Sequence, residues 1–261
     1  MITGNGKYVS RISPLDPLLG SPPNSPPTSD PGRRTSRFRR LRRFFLLATL
    51  GCFVAPFILI LPLNFVQPPT TTMILWRTGQ RLFEGKRPMY PRRDIVVHHQ
   101  ISANLHRAVL AAEDDRFFLH EGFDFTELEK AVERRRRGGR SRGASTITQQ
   151  TAKNLFLWEG RSFIRKGVEA YLTLVLELCL SKERILDIYL NLAEWGDGLF
   201  GAEMAARTYF GKPARLLSRD EAARLAAILP APRRWSPNGV IARRRADIIL
   251  QRMAYAAPTE R

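Results

Sequence analysis

Residues 113–122, Glu113-Asp114-Asp115-Arg116-Phe117-Phe118-Leu119-His120-Glu121-Gly122, set acids, bases and aromatic rings directly after an apolar helical run. In that run Leu105, Ala108, Val109 and Ala112 recur at three- and four-residue spacing, so they read as the buried face of one helix with Glu113 at its C-terminal end. A carboxylate is out of place there, because the helix dipole favours acids at the start of a helix. Three adjacent acids also repel one another and raise each other's pKa, which suits a general base. Glu113 therefore reads as a candidate catalytic base; the plainer alternative is a solvated acidic turn capping a core helix.

The chain of 261 residues is 44% hydrophobic, enough for one medium-sized core with appendages and too apolar for a disordered protein. Its formal net charge of +18 implies an anionic partner: nucleic acid, an acidic membrane surface or a phosphorylated substrate. Residues 1–43 hold nine Lys/Arg against two Asp/Glu, a net of +7, and residues 67–261 hold the remaining +11. Cys52 and Cys179 fall in unrelated patterns, which argues against a disulfide. None of His98, His99, His106 and His120 stands in a metal-ligand spacing such as His-Glu-x-x-His, so no intrinsic metal site is expected.

Residues 1–36, rich in Pro, Ser and Gly, carry too few apolar groups to offset the entropy of ordering. An arginine cluster follows, and then Phe44 to Val66 without a single charge, long enough to cross a bilayer; Pro56 and Pro62 should kink such a helix. The arginines hold the N-terminus in the cytoplasm by the positive-inside rule, which puts the rest of the chain on the outer face and makes a nucleic-acid role hard to sustain. The expected organisation is a disordered basic tail over 1–43, a transmembrane helix over 44–66, an extended linker and juxtamembrane segment over 67–94, and a folded domain over 95–261. No strong alternation marks strands beyond residue 100, so that domain is expected to be mainly α-helical.

Two further stretches can carry chemistry. Residues 143–156 pack hydroxyls, amides and an amine together, and on a helix Thr146, Gln149, Gln150 and Lys153 share one side, with Ser145 or Thr146 as an alternative N-cap. Arg161, Arg165 and Glu169 are each four residues from the next, which puts two cations beside a second carboxylate. Residues 134–142, arginines mixed with glycines, read as a mobile basic loop near anionic lipid or a pyrophosphate. Lys182 to Asn191 forms an amphipathic helix with Ile185, Ile188, Tyr189 and Leu192 inward. The glycines at 196, 198 and 201 make a tight turn around Asp197, and Ser218 to Glu221 forms a capping box for a helix stopped by Pro230.

In order along the chain, Glu113-Asp114-x-x-Phe117-x-x-His120-x-Gly122, Gly143-x-Ser145-Thr146-Ile147-x-Gln149-Gln150-x-x-Lys153-Asn154, Arg165-Lys166-x-x-Glu169 and Lys182-x-x-Ile185-Leu186 with Tyr189-Leu190-Asn191 resemble the motifs of the family 51 peptidoglycan glycosyltransferases. The resemblance spans about residues 95–238. It lacks the Ser-x-x-Lys and Lys-Thr-Gly motifs of a penicillin-binding domain, so it is to the monofunctional biosynthetic form. One departure is Asp187, where the family more often has Glu.

The resemblance implies a lysozyme-like, two-lobed helical domain behind an N-terminal transmembrane helix. It further implies an inner-membrane enzyme that polymerises lipid II in the periplasm into β-1,4-linked glycan, releasing undecaprenyl diphosphate with inversion. It gives Glu113 and Glu169 as catalytic residues, Lys153, Arg161 and Arg165 as cations for the pyrophosphate, and Ser145, Thr146, Gln149, Gln150 and Asn154 as substrate-positioning groups. No tightly bound cofactor is implied, with room for a divalent cation, Mg or Mn, at the pyrophosphate. Expected partners are lipid II, the growing strand, the membrane and cell-wall synthesis or division proteins, and no nucleic acid. A lytic or hydrolytic glycosidase and a non-catalytic membrane-anchored scaffold are the alternatives; a hydrolase would not need the cation cluster.

Overall fold

The computed structural model describes residues 31–85, 94–139, 145–160 and 162–255. Among them are ten α-helices, a few 3-10 turns and one small hairpin, the mainly α class expected. The chain divides into two units within its first helix, Met1–Thr49 and Leu50–Arg261.

The first helix, α1, runs over Pro31–Ile60 and begins upstream of the expected boundary at residues 43 and 44. Within and just after it, Arg39–Asn64 is long and apolar enough to cross a membrane, and Phe53, Ile58 and Leu59 are exposed along it. The helix carries Pro56 in its interior and gives way to a 3-10 turn, Leu61–Asn64, where Pro62 supplies the first turn.

The short linker is present, but the juxtamembrane segment expected after it is a packed helix. Only a few residues around Pro68 and Pro69 are irregular before α2, Thr72–Phe83, begins with the Thr71 hydroxyl accepting from the Ile74 N–H. Met73 and Ile74 are buried, α2 packs on α5 (Ile147–Phe156), and Arg77 pairs with Glu194 at 3.3 Å. These ties make α2 part of the folded domain, a role that short-range composition does not reveal.

At the centre lies α3, Ala103–Glu113, packed against α9 (Arg219–Ile228) and α10 (Val240–Tyr255). Leu105, Ala108 and Val109 are fully buried, as the spacing requires. Helix α4, Phe125–Arg136, takes in three arginines of the stretch expected as a mobile loop, and residues 140–142 of that stretch lie outside the described residues. Helix α5 packs on α6 (Phe163–Cys179) and α7 (Lys182–Leu192), whose inward residues Ile185, Ile188, Tyr189 and Leu192 are buried.

The turn around Asp197 is a two-stranded hairpin, β1 (Glu194–Gly196) and β2 (Leu199–Phe200), leading into α8, Ala202–Phe210. Polar side chains start most of these helices, each accepting a backbone N–H that has no intrahelical partner: Ser102 for α3, Asp124 for α4, Thr146 for α5, Ser181 for α7 and Ser218 for α9. The capping box expected at Ser218 and Glu221 is present, and α9 ends just before Pro230.

Candidate active site

Helix α3 stops at Glu113 because Asp114 leaves helical geometry, at φ −161° and ψ 79°. The adjacent acids then part. Asp114 is buried, with its carboxylate 3.0 Å from His120 Nε2 and accepting the Ile147 N–H at 2.9 Å, while Asp115 is exposed. Ile147 is the first residue of α5, so Asp114 fastens the start of that helix to the end of α3, and it does so where the helix dipole favours a negative charge.

Glu113 opens onto a cleft of about 560 Å³. Its carboxylate accepts a hydrogen bond from Gln150 Nε2 at 2.9 Å, and Gln150 Oε1 in turn accepts from the Tyr189 hydroxyl at 3.1 Å. Tyr189 is 1% exposed; burial and then the charges of Glu113 and Asp114 push its phenol well above the usual range, so it stays a donor. An amide fixed at one end by a phenol that does not ionise holds the Glu113 carboxylate in place.

The cleft is also lined by Ser145, Thr146 and Lys153, and by Lys130 and Arg134 of α4 and Arg245 and Arg252 of α10. Burial pushes the Lys153 ammonium below the usual lysine range; Glu169 draws it back up, Arg165 and Lys166 press it down, and Glu159 acts weakly upward. Glu169 itself is 3% exposed, paired with Arg165 at 3.0 Å and with Lys166. It is not among the cleft-lining residues, and neither are Arg165, Gln149 and Asn154. Lys153 therefore joins two groups of residues: it shares the cleft with Glu113 and lies within electrostatic reach of Glu169, Arg165 and Lys166.

The polar stretch before Lys153 divides by task. Thr146 is the N-cap of α5, its hydroxyl donating to the Gly122 carbonyl at 2.7 Å, and Gln149 closes the capping box by accepting the Thr146 N–H at 3.0 Å. The resemblance gives both as substrate-positioning groups; the structure uses both side chains in the helix cap, and Thr146 also lines the cleft. Ser145, Thr146, Gln150 and Lys153 line the cleft, and Asn154 is half-buried. Arg161 lies outside the described residues.

Several groups around the site carry no clear local signal. Lys166 joins Glu169 as an i,i+3 partner and stands in the sequence only as part of a motif. Tyr189 has the spacing of a core residue, and nothing in its local pattern shows that its hydroxyl reaches Gln150. Arg245 and Arg252 come from a helix more than a hundred residues downstream and carry no local signal.

A helical domain that presents a held carboxylate and several cations on one cleft is suited to a transfer reaction on an anionic substrate. The chain matches the Transglycosylase family over residues 80–254, and it belongs to that family. Its relatives include proteins named biosynthetic peptidoglycan transglycosylase. That of Pseudomonas entomophila (strain L48) is 45% identical over 228 residues, 86% of this chain and 94% of the relative. That of Pseudomonas putida (strain KT2440) is 46% identical over 224 residues, 85% and 93% of the two chains. That of Xanthomonas campestris pv. campestris (strain B100) is 44% identical over 235 residues, 87% and 93%. The activity is peptidoglycan transglycosylation, and the substrate is a peptidoglycan precursor.

Proposed function

We propose that this transglycosylase polymerises lipid II. The observation that carries the reading is that Glu113 and Lys153 line the same cleft, with Arg165, Lys166 and Glu169 in electrostatic reach of Lys153. The 4-hydroxyl of the acceptor GlcNAc gives its proton to the Glu113 carboxylate as its oxygen attacks C1 of the MurNAc that ends the growing strand. A β-1,4 bond forms, the bond from C1 to the pyrophosphate oxygen breaks, and undecaprenyl diphosphate leaves with the electron pair. Attack from the face opposite the leaving group inverts C1 without a covalent enzyme intermediate.

Pyrophosphate leaves readily once its charge is met, so fixed cations matter more here than acid catalysis. Lys153 and Arg165 supply that charge, joined by Arg161, and Glu169 holds Arg165 and Lys166 in position. A divalent cation fits this site poorly: Glu169 already has both oxygens engaged by side-chain cations, and it belongs to none of the potential metal-ligand groups among the described residues. No step is routed through a metal. Ser145 and Gln150 face the sugars, and Asn154 stays a candidate for the same task.

Arg39–Asn64 anchors the enzyme in the inner membrane, with the arginine-rich N-terminus cytoplasmic and the folded domain periplasmic. An apolar segment whose side chains point outward is unfavourable in water and favourable in lipid. The anchor keeps the cleft beside a substrate whose tail never leaves the bilayer, where cell-wall synthesis or division proteins can also be met. Incubating labelled lipid II with the purified chain and resolving products by size tests this reading. Polymer is expected from the parent, and Glu113→Gln is expected to lose about 10²–10⁴-fold in rate with unchanged circular dichroism. Equal polymer from both removes Glu113 from the mechanism, and shortened glycan without polymer favours the hydrolytic alternative.

A further inference from the structure

Away from the cleft, three side chains from distant parts of the sequence converge. His98 lies on a 3-10 turn, His98–Gln100, His106 on α3 and Asp187 on α7, and one donor atom from each lies within 4.8 Å of the others. His98 Nδ1 is 2.5 Å from Asp187 Oδ1, and the two imidazole rings are 4.2 Å apart between centroids. His106 is 3% exposed, and its Nδ1 donates to the Ser102 carbonyl at 3.1 Å. In a neutral ring that bond leaves Nε2 with its lone pair, and Nε2 is buried without a hydrogen-bond partner. A buried acceptor with nothing to accept is unfavourable unless something else fills the role.

We propose that His98, His106 and Asp187 bind one divalent transition-metal ion, zinc foremost, which staples the 3-10 turn His98–Gln100 to α3 and α7. Two imidazoles and a carboxylate are the donor set zinc takes, with water as a fourth ligand. The Ser102 carbonyl orients the His106 ring through its far nitrogen, the usual outer support of a metal-bound histidine. Burial and the neighbouring His98 bring the His106 pKa down to about 4, so the ring is neutral and able to coordinate near pH 7.

Donors around a tetrahedral zinc lie about 3.3 Å apart, so the His98–Asp187 pair must open from 2.5 Å as the ion enters while the wider gaps of the group close, an adjustment that falls on the half-exposed His98 on its short turn. Arg184 opposes a cation at Asp187 and Glu183 favours one; the Arg184 guanidinium is turned toward the Leu63 carbonyl, 2.5 Å away. Beside the group, Asn191 already clamps Val96 through both backbone atoms, at 3.0 and 2.9 Å, so the ion would complete a junction partly built by hydrogen bonds.

The test uses the full chain purified in detergent, stripped with a chelator and titrated with Co²⁺. One equivalent is expected to give the visible absorption of a tetrahedral cobalt site, displaced by Zn²⁺ in competition with a chromophoric chelator. His98→Ala and Asp187→Asn are each expected to weaken Zn²⁺ binding by more than about a hundredfold, since loss of an outer support alone costs ten- to a hundredfold. His98→Ala should keep the parent's circular dichroism in chelator, and Zn²⁺ should raise the melting temperature of the parent and not of this variant. A parent that takes up no Co²⁺ overturns the proposal and leaves a His98–Asp187 hydrogen bond only. Binding that survives both substitutions at parent strength also overturns it and moves the ion to another group, such as Asp114, His120 and Asp124.

Discussion

Gln150 Nε2 donates to the Glu113 carboxylate at 2.9 Å, while the other end of the same amide accepts from the Tyr189 hydroxyl at 3.1 Å. The base of the proposed reaction is thus aimed by a neighbour on another helix. Gln150→Ala releases the carboxylate and is expected to lower kcat by about tenfold or more, with a smaller change in KM, because misplacing a reacting group by an ångström costs up to about a hundredfold. Tyr189→Phe should have a weaker effect in the same direction. Polymerisation kinetics on labelled lipid II separate the two parameters, and a Gln150→Ala enzyme with parental kcat would show that Glu113 needs no such guide.

Asp114 binds His120 Nε2 and the Ile147 N–H from a buried position, joining the end of α3 to the start of α5. Asp114→Ala leaves a buried imidazole and a helix-start N–H without their acceptor, which should cost about 1–3 kcal/mol of stability. Asp114→Asn keeps an acceptor in place and should cost less. Because α5 carries Gln150 and Lys153, the alanine variant is also expected to lose polymerising activity below its melting temperature. Thermal unfolding followed by circular dichroism, with an activity assay on the same samples, checks both.

Gly122 has a φ of +84°, and a Cβ built there would meet Thr173 Cγ2 at 2.7 Å. Gly122→Ala therefore suffers twice, from left-handed backbone and from overlap with α6, for a combined loss of about 1–3 kcal/mol. Thr173→Ser removes the offending methyl and keeps a hydroxyl to donate to the Glu169 carbonyl. The double variant should recover the larger part of the steric cost, the contact with Glu177 Cγ at 3.1 Å remaining, so its melting temperature should fall between those of Gly122→Ala and the parent. Full recovery would mean that the backbone conformation costs nothing at this position.

The helices that could be read from the sequence are those whose burial is periodic and local. Leu105, Ala108 and Val109 mark α3, and Ser218 with Glu221 marks the start of α9, because spacing and capping are decided within a few residues. Helix α2 could not be read that way: its reason to exist is contact with α5 and the ion pair from Arg77 to Glu194, across more than a hundred residues. The cleft divides similarly. Glu113, Ser145, Gln150 and Lys153 announce themselves by residue type in a recognisable order, whereas Arg245 and Arg252 reach the cleft, and the buried Tyr189 hydroxyl reaches Gln150, only through tertiary packing. Thr146 and Gln149 can be read in the sequence either as cap or as substrate ligand, because helix caps and sugar ligands draw on the same polar side chains, and the capping role is visible only in the fold.

Lys153 makes the mechanism sensitive to alkaline pH. Burial holds its ammonium below the usual lysine range, and the Glu169 carboxylate is the largest influence pulling it back up. The cation is present below its pKa in the folded enzyme and is lost as pH rises through that value, so polymerisation should fall at a lower pH than an ordinary lysine would give. Lys153→Arg keeps the charge at all accessible pH values and should move the alkaline limb upward, at some cost in rate from altered geometry. Glu169→Gln removes the carboxylate that favours the charged form and leaves Arg165 and Lys166 pressing against it, so the limb should move further down. Rates measured against pH for the three enzymes, with substrate binding followed separately, test the assignment. An alkaline limb that stays put in both variants would mean that another group titrates and that Lys153 is not the cation that meets the leaving pyrophosphate.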